Sequence, residues 1–119
     1  MSKKDSYITN PNGIPYWDSY QVMKFNSSVE MLEWVQNDRK NFILSDKVYD
    51  AMIDCLTNDM EQIIVATLSV KDESEIDVLI RKPNFQKILS GYTGRLLDGE
   101  KYERLAEIKQ QIKKYGLEI

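Results

Sequence analysis

Histidine is absent from this 119-residue chain, and cysteine occurs once, at Cys55. An intrachain disulfide is therefore impossible, and a Cys/His zinc centre lacks the ligands it needs. Ser-His-Asp and Cys-His nucleophile systems fall with them, because no imidazole is present to take the proton. Any enzyme built on this sequence must work with carboxylates, lysine, tyrosine or a hard metal held by oxygen. No apolar run approaches the about twenty residues that a bilayer span requires, so no membrane association is expected. The opening "MSKKDSYITNPNG" has no apolar stretch behind its lysines, unlike a secretory signal, and a cytoplasmic location is expected.

What is present is globular in composition, with 42% hydrophobic and 29% charged residues, enough apolar material for one core. The net charge of −3 hides an uneven distribution. Ser28 to Asp77 carry twelve acidic and four basic residues, whereas Val78 to Ile119 carry nine basic and five acidic. Such polarity can steer a charged partner, or a second copy of the chain, toward the molecule.

Residues 1–15 read as an extended arm ending in the turn signal "NPNG", and residues 16–119 as a single helical domain. Four or five helices are expected. Ser27 and Glu30 match the S-x-x-E capping box at the start of the first. A second helix is expected to begin after Ser45. Val48, Met52, Leu56, Met60, Ile63, Thr67 and Val70 step by three or four, which predicts one helix from about Asp46 to Val70. Asp72 and Glu75 could cap a short helix before Pro83. The competing reading pairs the β-branched "IIVATLSV" with "IDVLIR" as a hairpin across residues 63–81, giving an α+β fold. The periodicity favours the all-α reading. A helix after Pro83 carries Phe85, Ile88, Leu89, Tyr92 and Leu96 on one face, with Gly99 as its stop. The last runs from about Glu100 to Tyr115, turning Tyr102, Leu105, Ile108, Ile112 and Tyr115 inward before Gly116.

Three features invite a functional reading. "SGYTGRLLDG" holds three glycines in ten residues. It lacks the Lys-Ser/Thr of a phosphate loop, and the G-x-x-G spacing lacks the basic residues and strands of a K-homology loop. Gly91 and Gly94 are therefore expected to be helix-contact positions, since each costs about 1 kcal/mol against alanine in a helix interior. Asp46, Asp50 and Asp54 recur every four residues and form an acidic ridge. It could be a solvated face, a docking surface for a basic partner, or part of an Mg/Mn site in a metal-dependent hydrolase. Tyr16, Trp17 and Tyr20 form an aromatic group in the N-terminal lead, with Trp17 the foremost interface anchor. Trp34 reads as core, and Cys55 as a small buried hydrophobe.

The resulting expectation is a non-enzymatic protein-binding module, such as an adaptor, inhibitor, immunity or assembly factor of bacterial or phage type. It needs no cofactor and docks through the aromatic arm and a charged helical face, with a homo-oligomer also open. The basic C-terminal third offers a nucleic-acid surface as the alternative. Glu100, Glu103 and Glu107 interrupt it, which favours an ordinary charge-decorated helix.

Overall fold

The computed structural model describes residues 7–73 and 75–118. It corrects the all-α expectation, because about half of the chain is helical and a quarter lies in a three-stranded mixed sheet. The hairpin reading at 63–81 fits this architecture.

In chain order the elements are β1 (Tyr16–Phe25), α1 (Ser28–Asn37), α2 (Arg39–Ile43), α3 (Asp46–Thr57), β2 (Gln62–Val70), β3 (Glu75–Arg81), a 3-10 turn (Lys82–Asn84), α4 (Phe85–Asp98) and α5 (Tyr102–Lys113). The sheet order is β1-β2-β3, with β1 parallel and β3 antiparallel to β2.

The expected helix from Asp46 to Val70 ends at Thr57. Ser45 caps its start through Oγ, which accepts from the Val48 N–H. At its end Asp59 adopts φ +53, a left-handed conformation that Asp tolerates better than most residues. The chain then enters β2. Ile63, Ile64, Val65 and Ala66 are fully buried because this central strand is covered on both sides. The short helix expected before Pro83 is instead β3. Its connection to β2 turns through Asp72 at φ +61, with Glu73 N–H donating to Val70 O.

A bulge in β2 between Ile64 and Ala66 organises the core. Ile63 pairs with Ile80, and past the bulge Ala66 and Leu68 pair with Val78 and Ile76. Even positions of β3 share one face, so Ile63 and Leu68 do too, despite their odd spacing. On this face α3 contributes Val48, Met52 and Cys55 against Ile63 and Val65. Helix α1 contributes Met31, Trp34 and Val35 against Phe25, Leu68 and Val70. Trp34 is half-buried, its ring 6.2 Å from Phe25 and 5.9 Å from Phe42.

Helices α4 and α5 pack behind α3 around a separate cluster of Tyr49, Leu89, Tyr92, Ile108 and Ile112. Tyr102, expected inward, is 60% exposed. The inward face of α5 narrows to Ile108 and Ile112, with Leu105 and Tyr115 half-buried. Gly99 is not left-handed; that conformation falls on Glu100 at φ +57, while Gly116 does adopt φ +74.

The arm is folded onto its own chain where it is described. Tyr7 is buried in the α3–β2 cluster, and Tyr16 N–H donates to Ile8 O. Asn10 Oδ1 accepts from Asn12 and Ile14 N–H, tying the "NPNG" turn. Residues 1–6 of the expected arm lie outside the described residues.

Candidate functional site

Helices α1 and α3 cover one face of the sheet. The opposite face carries Tyr16, Val22 and Lys24 from β1, Ile64, Thr67 and Ser69 from β2, and Glu75, Asp77 and Leu79 from β3, as the pairing requires. Segment 7–15 reaches this face through Asn10, whose Nδ2 donates to Asp77 at 3.4 Å. Tyr20 remains 39% exposed and Val22 46%.

The register of β1 is irregular between Tyr16 and Gln21. That irregularity brings Tyr16 and Tyr20 together, their ring centroids 4.8 Å apart. Asp77 is the polar hub beneath them. It accepts from Thr67 Oγ1 at 2.9 Å and from Asn10 Nδ2. Desolvation raises the Tyr16 phenol above its ordinary pKa, and the negative charges of Asp77 and Glu75 push the same way. Two phenols, Val22 and the carboxylates of Asp77 and Glu75 form an aromatic, acidic surface. It offers hydrogen bonds and ring faces to a partner.

Trp17, from the same stretch, points the other way. It is 6% exposed in the α3–β2 core, and its Nε1 donates to Asp54 Oδ2 at 2.8 Å. The expected anchor Trp17 is thus consumed inside the chain, and only its neighbours Tyr16 and Tyr20 reach the surface.

The aspartate ridge is likewise turned partly to internal use. Asp46 accepts a short hydrogen bond from the Tyr92 hydroxyl on α4, and Asp54 holds Trp17 on β1. Asp50 is exposed, and its pKa is raised, first by desolvation and then by Asp46 and Asp54, against the opposing pull of Arg104. No group of three or more His, Cys, Asp or Glu residues is placed to hold a metal ion among the described residues. The ridge therefore fastens α3 to β1 and α4 through two of its three carboxylates.

Tyr49 and Tyr92 stack with centroids 5.1 Å apart. Tyr49 hydroxyl donates to Gln111 Oε1 at 2.7 Å, and Arg104 lies over the Tyr49 ring at 5.5 Å. Arg104 also pairs with Glu107 at 3.3 Å. Arg95 donates to the carbonyls of Asn41 and Leu44, closing the end of α2. Two arginines of the basic third are thus bound within the fold, which weakens the case for a nucleic-acid surface there.

The two glycines separate. A Cβ on Gly91 would come within 2.8 Å of Leu44 Cδ2, a close approach between α4 and the end of α2. A Cβ on Gly94 would meet nothing within 4 Å, so the expected helix contact is absent there. Cys55 is fully buried, its Sγ donates to Met60 O, and desolvation pushes the thiol up to about 12.

No family model, curated protein or solved structure matches this chain. Asp77 is the residue that sequence reasoning passed over. It looks like one acid among many in the acidic half, and only the strand pairing places it under Tyr16 and beside Thr67. Among the described residues, no helix is long and apolar enough to cross a membrane.

Proposed function

We propose that this chain is a non-enzymatic protein-binding module that docks through the helix-free face of its sheet, with Tyr16, Tyr20 and Val22 as the contact group. One observation carries the reading. Tyr20 and Val22 are 39% and 46% exposed on a paired strand, beside Asp77 and the Tyr16–Tyr20 ring contact. Tyrosines held rigidly at a surface supply contact area at low entropic cost. The neighbouring Asp77 and Glu75 favour a partner that presents arginine or lysine among apolar side chains. This retains the basic partner expected from the sequence, with its contact moved from the aspartate ridge to the sheet. An adaptor, inhibitor or assembly role in the cytoplasm accords with such a surface.

A photo-reactive amino acid placed at Val22, with a second protein labelled at Gln110 on α5, tests the reading in native lysate. The expected result is a discrete protein adduct from position 22 that Tyr20→Ala reduces, and none from position 110. Equal labelling from both positions, or an adduct that is nucleic acid and survives Tyr20→Ala, would overturn it.

A further inference from the structure

Strand β3 forms one edge of the sheet, and among the described residues no strand neighbours its outward side. Among the described residues, 75–81 make no backbone hydrogen bond outside their pairing with β2. Lys82 N–H donates to Glu61 O, which fixes the phase of the ladder. By antiparallel alternation, the even positions of β3 turn their backbone groups toward β2. The N–H and C=O groups of positions 75, 77, 79 and 81 then face the free edge. Edges of this kind are normally blunted by a bulge, a proline or exposed charge, most often lysine. The one mid-strand charge here, Asp77, is engaged by Thr67 and Asn10 rather than left free. The remaining devices are a bulge, a proline and a lysine. Among these seven residues, EIDVLIR, none of these occurs. The opposite edge, β1, carries the irregular stretch between Tyr16 and Gln21.

The sequence of β3 is complementary to itself. When two copies run antiparallel about Val78, all seven residues pair. Glu75 then lies opposite Arg81 of the other copy, at both ends of the strand. Ile76 lies opposite Ile80, Asp77 opposite Leu79, and Val78 opposite itself. The paired positions 77 and 79 are those whose backbone groups face outward, so this register also satisfies the free edge. Moving the centre to Asp77 would set two aspartates against each other, which is unfavourable. Moving it to Leu79 would run into Pro83 and the 3-10 turn. Glu75 and Arg81 are both exposed, and neither belongs to a salt bridge among the described residues. Ile76 is 48% exposed at the mouth of a groove of about 320 Å³ between β3 and α1, lined by Met31, Trp34, Val35 and Arg39.

We propose that β3 is a dimerisation edge, pairing antiparallel with β3 of a second copy about Val78 and locked by two Glu75–Arg81 ion pairs. The two sheets become one of six strands, and the interface covers Ile76. The proposal rests on the strand edge and not on the tyrosines, although Glu75 and Asp77 also border the partner face described above.

Charge reversal provides a test that only this register passes. The native protein is expected to sediment as a dimer at about 100 μM, a concentration that populates any complex tighter than that. Glu75→Arg alone and Arg81→Glu alone should each weaken self-association by about tenfold or more, because like charges then meet at both ends. An equimolar mixture of the two variants should recover the dimer, since one copy then carries two positive ends and the other two negative ends. Circular dichroism and melting of each variant confirm that it folds. In a second measurement, Val78→Cys should form an intermolecular disulfide on mild oxidation. A directly opposed, non-hydrogen-bonded pair has the spacing for one, and buried Cys55 does not compete. A native protein that stays monomeric at about 100 μM overturns the proposal. So do single reversals that dimerise undiminished, a mixture of folded variants that stays apart, or a Val78→Cys protein that does not cross-link.

Discussion

The core under the sheet and the core behind α3 are held by different physics. Under the sheet, Val48, Met52, Cys55, Ile63, Val65 and Leu68 pack largely as aliphatic and sulfur-bearing groups on a continuous strand surface. The contribution of the aliphatic groups scales with the apolar area withdrawn from water and is indifferent to pH, although Tyr7 and Cys55 in the same core are held at about 12 by burial. Behind α3, Tyr49 and Tyr92 stack against Leu89, Ile108 and Ile112, with both hydroxyls tied to neighbouring helices. The same burial that stabilises this layer makes it depend on its phenols keeping their protons. The difference shows how a short chain can rest its sheet on area alone and fasten its outer helices with a few polar ties.

The largest expected effect lies on the aliphatic side. Ile63→Ala removes a fully buried side chain from the central strand and should cost about 2–5 kcal/mol by denaturant unfolding. That loss should stay unchanged between about pH 6 and pH 8, because the deleted side chain carries no titratable group.

A smaller effect belongs to the tyrosine layer. Tyr92→Phe keeps the ring and removes the donor to Asp46, and because Asp46 is exposed and can rehydrate, about 1 kcal/mol is expected at neutral pH. The contrast sharpens in alkali. Desolvation pushes Tyr49 and Tyr92 up to about 12 in the folded chain from an ordinary value of 10.0. The stabilisation this implies is complete below the unfolded value and is lost as pH rises from 10 toward 12. A Tyr49→Phe/Tyr92→Phe double variant should lose stability less steeply across that window than the native protein. Some slope persists, because Tyr7 and Cys55 are also held at about 12 by burial. Equal slopes would show that the phenols of this layer do not carry the alkaline transition.

The smallest effect compares the two glycines of α4. Gly94→Ala meets open space and should stabilise by up to about 1 kcal/mol. At Gly91 the same helix-propensity gain is opposed by displacing Leu44 Cδ2, so Gly91→Ala should melt below Gly94→Ala. A reversed order would mean that Leu44 yields without cost.

The parts of this fold that were legible in the sequence are those fixed by local chemistry. Ser27 and Ser45 mark real helix starts because each caps a backbone donor three residues ahead. Gly116 marks a real end because its φ is positive. The sheet was obscured for two reasons. β2 is buried on both faces, so it lacks the alternation that identifies a half-exposed strand, and Met60, Ile63, Thr67 and Val70 happen to continue the helical stride of α3. The break lay in Asn58-Asp59, an ordinary pair unless its left-handed turn is anticipated. In β1 the irregular stretch between Tyr16 and Gln21 destroys the period of two. The aromatic cluster was visible as a composition feature. Its division into buried Trp17 and surface Tyr16 and Tyr20 was not, since the partner of Trp17 lies 37 residues away on α3.

The parallel pairing of β1 with β2 has a consequence for the order of assembly. β2 and β3 are joined by a tight turn and can zip together quickly, whereas β1 must wait until the thirty-odd residues of α1–α3 have looped back, a slower closure. In pulse-labelled hydrogen exchange during refolding, amides of 62–81 should gain protection before those of 16–25. The last strand to arrive is then the one bearing Tyr16 and Tyr20, so the proposed recognition face comes into being only when the rest of the molecule is already built.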